Sequence, residues 1–266
     1  MLKRRYSWRR FLGLVLIALG LAACYTNPET GRRGLALFSP QEEAALGLQA
    51  FTEIKNETPI STDPEQNAQT QRVGQKISSV VQLPSAQWEF VVFQKDDTPN
   101  AFCLPGGKVG IYTGILPITQ NDNGVAVVMG HEVAHAVARH GGERMSEQLL
   151  IALGGVGLAV ALREKPQETQ ALAMVAYGVT TTVGRILPHS RRQELEADYM
   201  GLKFMAKAGY DPHGAVDFWR RFKAYSDKQG GRPPEFLSTH PLDNRRIREL
   251  EKRMPEAMEI YRQSAG

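Results

Sequence analysis

Cysteine is scarce: the 266-residue chain has two. Two thiols cannot build a disulfide framework, so the fold must rest on packing, with a bound metal as the one remaining staple. Long apolar runs are scarce as well. Together with 42% hydrophobic residues, 25 Gly and 15 Pro, this excludes a disordered tail, a collagen-like repeat and a polytopic membrane bundle. No period near 34 residues recurs, so no helical-repeat domain is expected. Excess charge is missing outside one segment. Residues 1–23 hold Lys3, Arg4, Arg5, Arg9 and Arg10 and no acid, leaving 27 basic against 28 acidic groups in residues 24–266. The body of the chain is neutral, and its formal net charge of +4 points to no nucleic-acid partner.

That first segment reads as an address. A basic stretch over residues 1–10 precedes a 13-residue apolar run, Phe11–Ala23, too short for a spanning helix of ~20 residues and fitting a removable signal peptide. The run ends Leu21-Ala22-Ala23-Cys24, which resembles a bacterial lipobox with Cys24 as the lipidated residue. Trp8-Arg9-Arg10-Phe11-Leu12 faintly resembles a twin-arginine signal. The expectation is a signal peptide over 1–23, a polar tether over 24–38 and one domain over 39–266. The location expected is the periplasmic side of a bacterial cell envelope, lipid-anchored, with the outer membrane favoured.

Ser39-Pro40-Gln41-Glu42 has the form of a helix start, with Ser as N-cap, Pro in the first turn and Glu closing a capping box. Helices are expected to about Asn56 and from Pro64 to Val81. Trp88–Phe93 reads as a strand, and Ala101–Pro105 and Lys108–Tyr112 as two strands joined by Gly106-Gly107. From Gly114 the sequence is helical, with breaks at Gly141-Gly142, Pro166, Pro188, Gly209–Pro212 and Gly230–Pro234. Leu149–Leu162 is a 14-residue apolar run, too short to span a bilayer comfortably and expected to be a buried or membrane-leaning helix, with burial favoured.

The chemistry centres on Gly130-His131-Glu132-Val133-Ala134-His135, an H-E-x-x-H pattern in an apolar helical setting. His131 and His135 fall about 40° apart on one helical face, so their ring nitrogens can meet at one zinc ion. Glu132 lies one position round and is the candidate general base. A metzincin would need Gly and His where Ala138 and Gly141 stand, so the third ligand comes from elsewhere. Glu194-Leu195-Glu196-Ala197-Asp198 supplies it. Glu194 and Asp198 share a face at i and i+4, so Glu194 can bind the metal while Asp198 accepts the free N–H of a ligand histidine. Glu196 is expected to point to solvent, and His140, about 140° round from His135, to be an exposed helix-end cation. His189 and His213 read as surface or loop histidines, and Cys103 as a small packing residue.

H-E-x-x-H followed some sixty residues later by E-x-x-A-D resembles the CAAX-prenyl-protease-type gluzincin metallopeptidases, most closely their soluble bacterial envelope lipoproteins. Pro99-Asn100-Ala101-Phe102, Leu104-Pro105-Gly106-Gly107, His140-Gly141-Gly142-Glu143-Arg144 and Ser238-Thr239-His240-Pro241 with Arg246-Ile247 extend the resemblance over about residues 35–255. It implies a predominantly helical α+β, zincin-like fold with a small antiparallel sheet packed on the active-site helix. It implies one zinc per chain on His131, His135 and Glu194, with Glu132 as base. For His240 two readings stand. It is a fourth zinc ligand that keeps the enzyme latent, as in some soluble relatives, or it sits in a His-Pro turn beside the site. For Arg246 the readings are oxyanion or substrate contact, or pairing with an acid. The implied activity is hydrolysis of misfolded or unassembled envelope proteins. The alternative is an envelope chaperone or assembly factor with a mostly silent protease site. Cys103, where relatives usually carry another small residue, is a mild departure. No C-terminal helical-repeat domain follows, which weakens an assembly-platform role.

Overall fold

Ser39 and Pro40 start the first long helix as their chemistry dictates. In the computed structural model, which describes residues 24–84, 86–182, 186–229, 234–241 and 244–264 and omits the side chains of residues 188 and 189, α1 runs over Pro40–Glu57. Ser39 accepts from the Glu42 amide and Glu42 reaches back to the Ser39 amide, a complete capping box that satisfies two otherwise orphaned donors. The helix α2, Pro64–Ser79, is capped by Asp63. The expected leader, residues 1–23, and the side chain of His189 lie outside the description.

Three strands follow: β3 (Glu89–Phe93), β4 (Ala101–Leu104) and β5 (Lys108–Tyr112). Gly106 and Gly107 turn the β4–β5 hairpin at φ of 84° and 81°, values that glycine adopts without a Cβ penalty. The hairpin is antiparallel as expected, but the sheet is mixed, because β3 pairs parallel to β5 and the order is β3-β5-β4. Residues 94–100 carry the chain past the end of β5, where the Lys95 amide donates to Thr113 Oγ1 at 2.8 Å. Among the described residues, one edge of β4 has no strand partner. Phe51 of α1 meets Phe93 and Phe102 edge-on, with ring centroids 6.1 and 6.2 Å apart.

The remaining chain is helical. After a short turn of helix, α3 (Leu116–Thr119), come α4 (Asp122–Val137), α5 (His140–Leu162), α6 (Gln167–Thr181), α7 (Leu187–Lys207), α8 (His213–Lys228), α9 (Glu235–Thr239) and α10 (Asn244–Ser264). The central helix is α4: every residue from Gly124 to Val137 is buried. It crosses α7 at a glycine pair. A Cβ on Gly130 would stand 2.9 Å from the Gly201 carbonyl oxygen, and one on Gly201 would stand 2.8 Å from the His131 amide nitrogen. Neither helix can carry a larger residue there without separating.

Three expectations are corrected. The stretch over 24–38 is no free tether: β1 (Cys24–Thr26) and β2 (Arg33–Leu35) form an antiparallel hairpin. Buried Asn27 ties that hairpin to α7 by donating to Glu196 Oε1 at 2.8 Å. The helix break falls at Ala138–Arg139 rather than at Gly141-Gly142. Arg139 takes φ 52° while its guanidinium reaches back to Glu43 Oε1 at 2.8 Å and the Phe38 carbonyl at 2.6 Å. The 149–162 run is not buried. Along α5, Leu153, Val156 and Val160 are about 60% exposed, because beyond its first two turns α5 packs mainly on α6 among the described residues.

Candidate metal centre

Helical periodicity sets the first two side chains. His131 and His135 sit one turn apart on α4, with Nε2 atoms 3.1 Å apart. The Gly130–Gly201 crossing brings α7 close enough for Glu194, two turns before Gly201, to reach them. Glu194 Oε2 lies 3.3 Å from His131 Nε2, and its Oε1 3.3 Å from His135 Nε2. His240, at the end of α9, completes the group. Its Nδ1 is 3.1 Å from Glu194 Oε2 and 3.3 Å from His131 Nε2. All four residues are buried, and one donor atom from each lies within 4.8 Å of the others.

These separations fit a tetrahedral cation. Four ligands at ~2.0–2.1 Å from a central zinc are ~3.3 Å apart along each edge of the tetrahedron, the spacing seen for most of these pairs. The charges of Glu194 and His135 fit as well, while for His131 the effect of burial is outweighed by Asp198 and Glu194, which raise its pKa to about 9. Burial opposes ionisation of Glu194, yet the neighbouring histidines hold its carboxyl well below the usual range. Burial pushes His135 well down, towards the neutral ring a metal needs.

Each α4 histidine has a backing group. His131 Nδ1 lies 3.0 Å from Asp198 Oδ1, off the line of a straight hydrogen bond, so the expected Asp198–histidine partnership falls on His131. Asp198 in turn accepts two hydrogen bonds of 2.7 Å from Arg246. Burial alone would raise the Asp198 pKa, but Arg246 brings it down. Arg246 also donates to the carbonyls of His240 and Pro241 at 3.2 Å and lies 4.2 Å over the Trp219 ring. Of the two readings for Arg246, pairing with acids is what the structure displays: the guanidinium is buried against Asp198 and lies 3.1 Å from Glu194 Oε2.

Behind His135 stands an arrangement that helical extrapolation missed. His140 is fully buried, not an exposed cation, because the left-handed Arg139 tips the next helix and carries the ring under the site. His140 Nδ1 is 2.8 Å from His135 Nδ1, and His140 Nε2 is 3.0 Å from Glu196 Oε2. Glu196 is likewise buried rather than solvated, accepting from Asn27, Thr30 and Arg32. Burial opposes its ionisation, but His140, Thr30 and Arg32 hold its pKa at about 2. Trp219, whose ring meets His131 edge-on at 5.7 Å, also went unnoticed. The sequence does signal Glu196 by its place in the E-L-E-A-D run. His140 is signalled only as the first residue of the His140–Arg144 stretch that extends the resemblance, and for Arg32 and Trp219 the sequence offers no sign.

Glu132 differs from all these acids. It is buried, its Oε1 has no hydrogen-bond partner among the described residues, and His240 Nε2 lies 3.4 Å away. Burial raises its pKa, as suits a proton acceptor working near neutrality. It opens on a cleft of about 310 Å³ lined by Phe102, Cys103 and Leu104 of β4, by Arg144 and by His240. The Cys103 thiol is pushed up by burial and has no thiolate chemistry to offer. His213 is exposed beside Asp211, as expected of a surface histidine.

Comparison with known proteins supplies the context. The profile of peptidase family M48 matches residues 64–254. The chain is 35% identical to mitochondrial metalloendopeptidase OMA1 of Schizosaccharomyces pombe, over 96% of this chain and 74% of that protein. It is 33% identical to the Saccharomyces cerevisiae OMA1, over 97% and 78%. With the beta-barrel assembly-enhancing protease of Escherichia coli it shares 24% identity, over 90% of this chain and 49% of that protein. The expected bacterial envelope location does not stand against these relatives, whose better-matching members are mitochondrial. The physical reason is that an Arg-rich, acid-free leader before an apolar run has the composition of organelle transit peptides as well as of export signals.

Proposed function

The chain belongs to peptidase family M48 and is a metalloendopeptidase; from that premise we propose that it is a self-restrained zinc protease that cleaves unfolded or unassembled proteins. His131, His135 and Glu194 would hold one zinc ion, with His240 as the fourth ligand at rest. The observation that carries this reading is four donors at tetrahedral spacing beside a buried carboxylate oxygen with no hydrogen-bond partner among the described residues.

Zinc bound there supplies Lewis acidity towards a scissile carbonyl and an attacking water. Glu132 takes the proton of that water on its carboxylate and returns it to the leaving amine. His131 and His135 are kept in fixed orientations by Asp198 and His140. The free edge of β4, which borders the cleft, offers main-chain groups to an extended substrate. Recognition by strand addition reads backbone more than side chains, which suits unfolded targets. The relatives named for β-barrel assembly support an assembly-linked role. Cys24, exposed on β1, would be the point at which a leader over 1–23 is removed and a lipid attached. The hairpin over 24–35 then forms part of the protease domain.

The test compares wild type, Glu132→Gln and His240→Ala on a casein-like unfolded substrate, with bound metal counted in each. Glu132→Gln should keep one zinc and lose at least ~10²-fold in rate. His240→Ala should keep zinc and gain rate. Hydrolysis persisting in Glu132→Gln would overturn the catalytic assignment, and an unchanged or slower His240→Ala would overturn the self-restraint.

A further inference from the structure

Beyond the first two turns of α5, the α5–α6 hairpin has no part in the chemistry above, yet it carries the most exposed large apolar side chains among the described residues. From Leu149 to Leu162 the chain contains only Leu, Ile, Val, Ala and Gly, and residues 171–184 contain no charged group. The two arms pack on each other through Tyr177, whose hydroxyl donates to the Ile151 carbonyl at 2.8 Å and sits where a Gly154 side chain would be. Their polar contact is thus turned inward. Outward stand Leu153, Val156 and Val160 on α5 and Leu172, Val175 and Val179 on α6, with Leu172 72% exposed. A soluble monomer seldom shows water a contiguous patch of this kind, and a helix apolar all round belongs in a core or a bilayer.

Two features point to lipid as the occupant. Charges bracket the charge-free stretches, residues 149–162 of α5, about 21 Å at 1.5 Å per residue, and residues 171–181 of α6: Arg144 and Glu147 precede the first, and Arg163, Glu164, Lys165 and Glu168 stand at the turn. The hairpin also leaves the body where the chain's other apolar segment joins it. Cys24, which follows the run over residues 11–23, lines the same cavity of about 400 Å³ as Glu147, two residues before the apolar arm. An apolar leader, or an acyl chain at Cys24, and the hairpin therefore reach one membrane together.

We propose that the α5–α6 hairpin is a membrane-interface element that lies along the bilayer surface. Its aliphatic side chains enter the acyl boundary and its charged turn stays among the headgroups. By length and composition the 23-residue α5 is able to cross a membrane, but its first two turns are buried in the body. The remaining arm of about 21 Å falls short of the ~30 Å hydrocarbon core, and a turn with four charges is costly at mid-bilayer, so the hairpin lies in the interface rather than across it. The cleft is thereby held close to the lipid surface.

The experiment uses the full chain with Cys24→Ser and Cys103→Ala, carrying an environment-sensitive fluorophore on a single introduced cysteine. Leu153→Cys, Val156→Cys and Val175→Cys report on the hairpin, and Lys228→Cys, on exposed α8, is the control. Each labelled protein is first checked for retained bound metal. With phosphatidylcholine vesicles containing a nitroxide-labelled lipid, the three hairpin labels should shift blue, be quenched by the lipid and be shielded from iodide. The label at position 228 should stay aqueous although tethered to the same vesicles. Equal iodide access at 153, 175 and 228 in vesicles would overturn the proposal. So would shielding of the hairpin labels without lipid that grows with protein concentration, since that would make the occupant a second copy of the chain.

Discussion

His140 Nδ1 lies 2.8 Å from His135 Nδ1, ring nitrogen to ring nitrogen, so at most one of the two carries a proton. A His135 that offers a bare Nε2 to a metal has its proton on Nδ1 and donates it to His140. His140 then carries its own proton on Nε2 and donates to Glu196 at 3.0 Å. Replacing His140 with Ala or Glu196 with Gln should therefore weaken metal binding about 10–100-fold, the usual effect of removing a ligand's backing group. Competition with a chelator checks this. A kcat that recovers at saturating zinc would identify both as positioning residues.

Arg246 is a second such position with a larger structural share. Its loss leaves Asp198 charged, buried and short of two donors, which should cost about 3–5 kcal/mol of stability. Arg246→Lys should recover only part, because an ammonium cannot supply the forked pair to one carboxylate. Urea unfolding of the metal-free protein measures this.

Acid should undock the β1–β2 hairpin before the core unfolds. The Glu196 pKa is near 2 in the fold against an ordinary 4.5. A depressed carboxyl stabilises fully above the unfolded value, and that contribution fades as pH falls through the folded one. The bonds from Arg32, Thr30 and Asn27 should therefore weaken progressively from about pH 4.5 towards 2. Hydrogen exchange at residues 24–35 should rise in this window ahead of exchange in α4. Coincident loss of both would contradict the prediction.

The helix crossing at Gly130 and Gly201 should be intolerant of a single methyl. Gly201→Ala forces a Cβ against the His131 amide at 2.8 Å and should cost about 1–3 kcal/mol, with zinc affinity falling as Glu194 is pushed away. Gly141→Ala, where nothing lies within 4 Å, should instead be neutral or stabilise by up to ~1 kcal/mol. Thermal melts of the two variants decide it.

What could be read in the sequence follows the range of its rules. The pairing of His131 with His135, and of Glu194 with Asp198, depends only on 3.6-residue periodicity inside uninterrupted helices, and both appear where that geometry puts them. His140 was misplaced because the periodicity was carried through Arg139, a residue with no intrinsic preference for positive φ, held there by Glu43 of α1 and by the Phe38 carbonyl just before that helix. Glu196 was lost with it, since its partners lie more than 160 residues away in Asn27, Thr30 and Arg32. The strands of the 24–35 hairpin have three residues each, too few for an alternating pattern to register. The exposure of Leu149–Leu162 was illegible for another reason: composition says that a segment avoids water, not what shelters it.

The Arg246 guanidinium grips the main chain of His240 and Pro241 as well as Asp198. The strand of backbone beneath that imidazole is thus stapled to the floor of the pocket. Any departure of the ring from its three neighbours must begin as rotation about its own side-chain bonds, a swinging latch on a fixed post. Motions of that size need no unfolding of the surrounding segment, so the gate is able to cycle while the frame around it stays still.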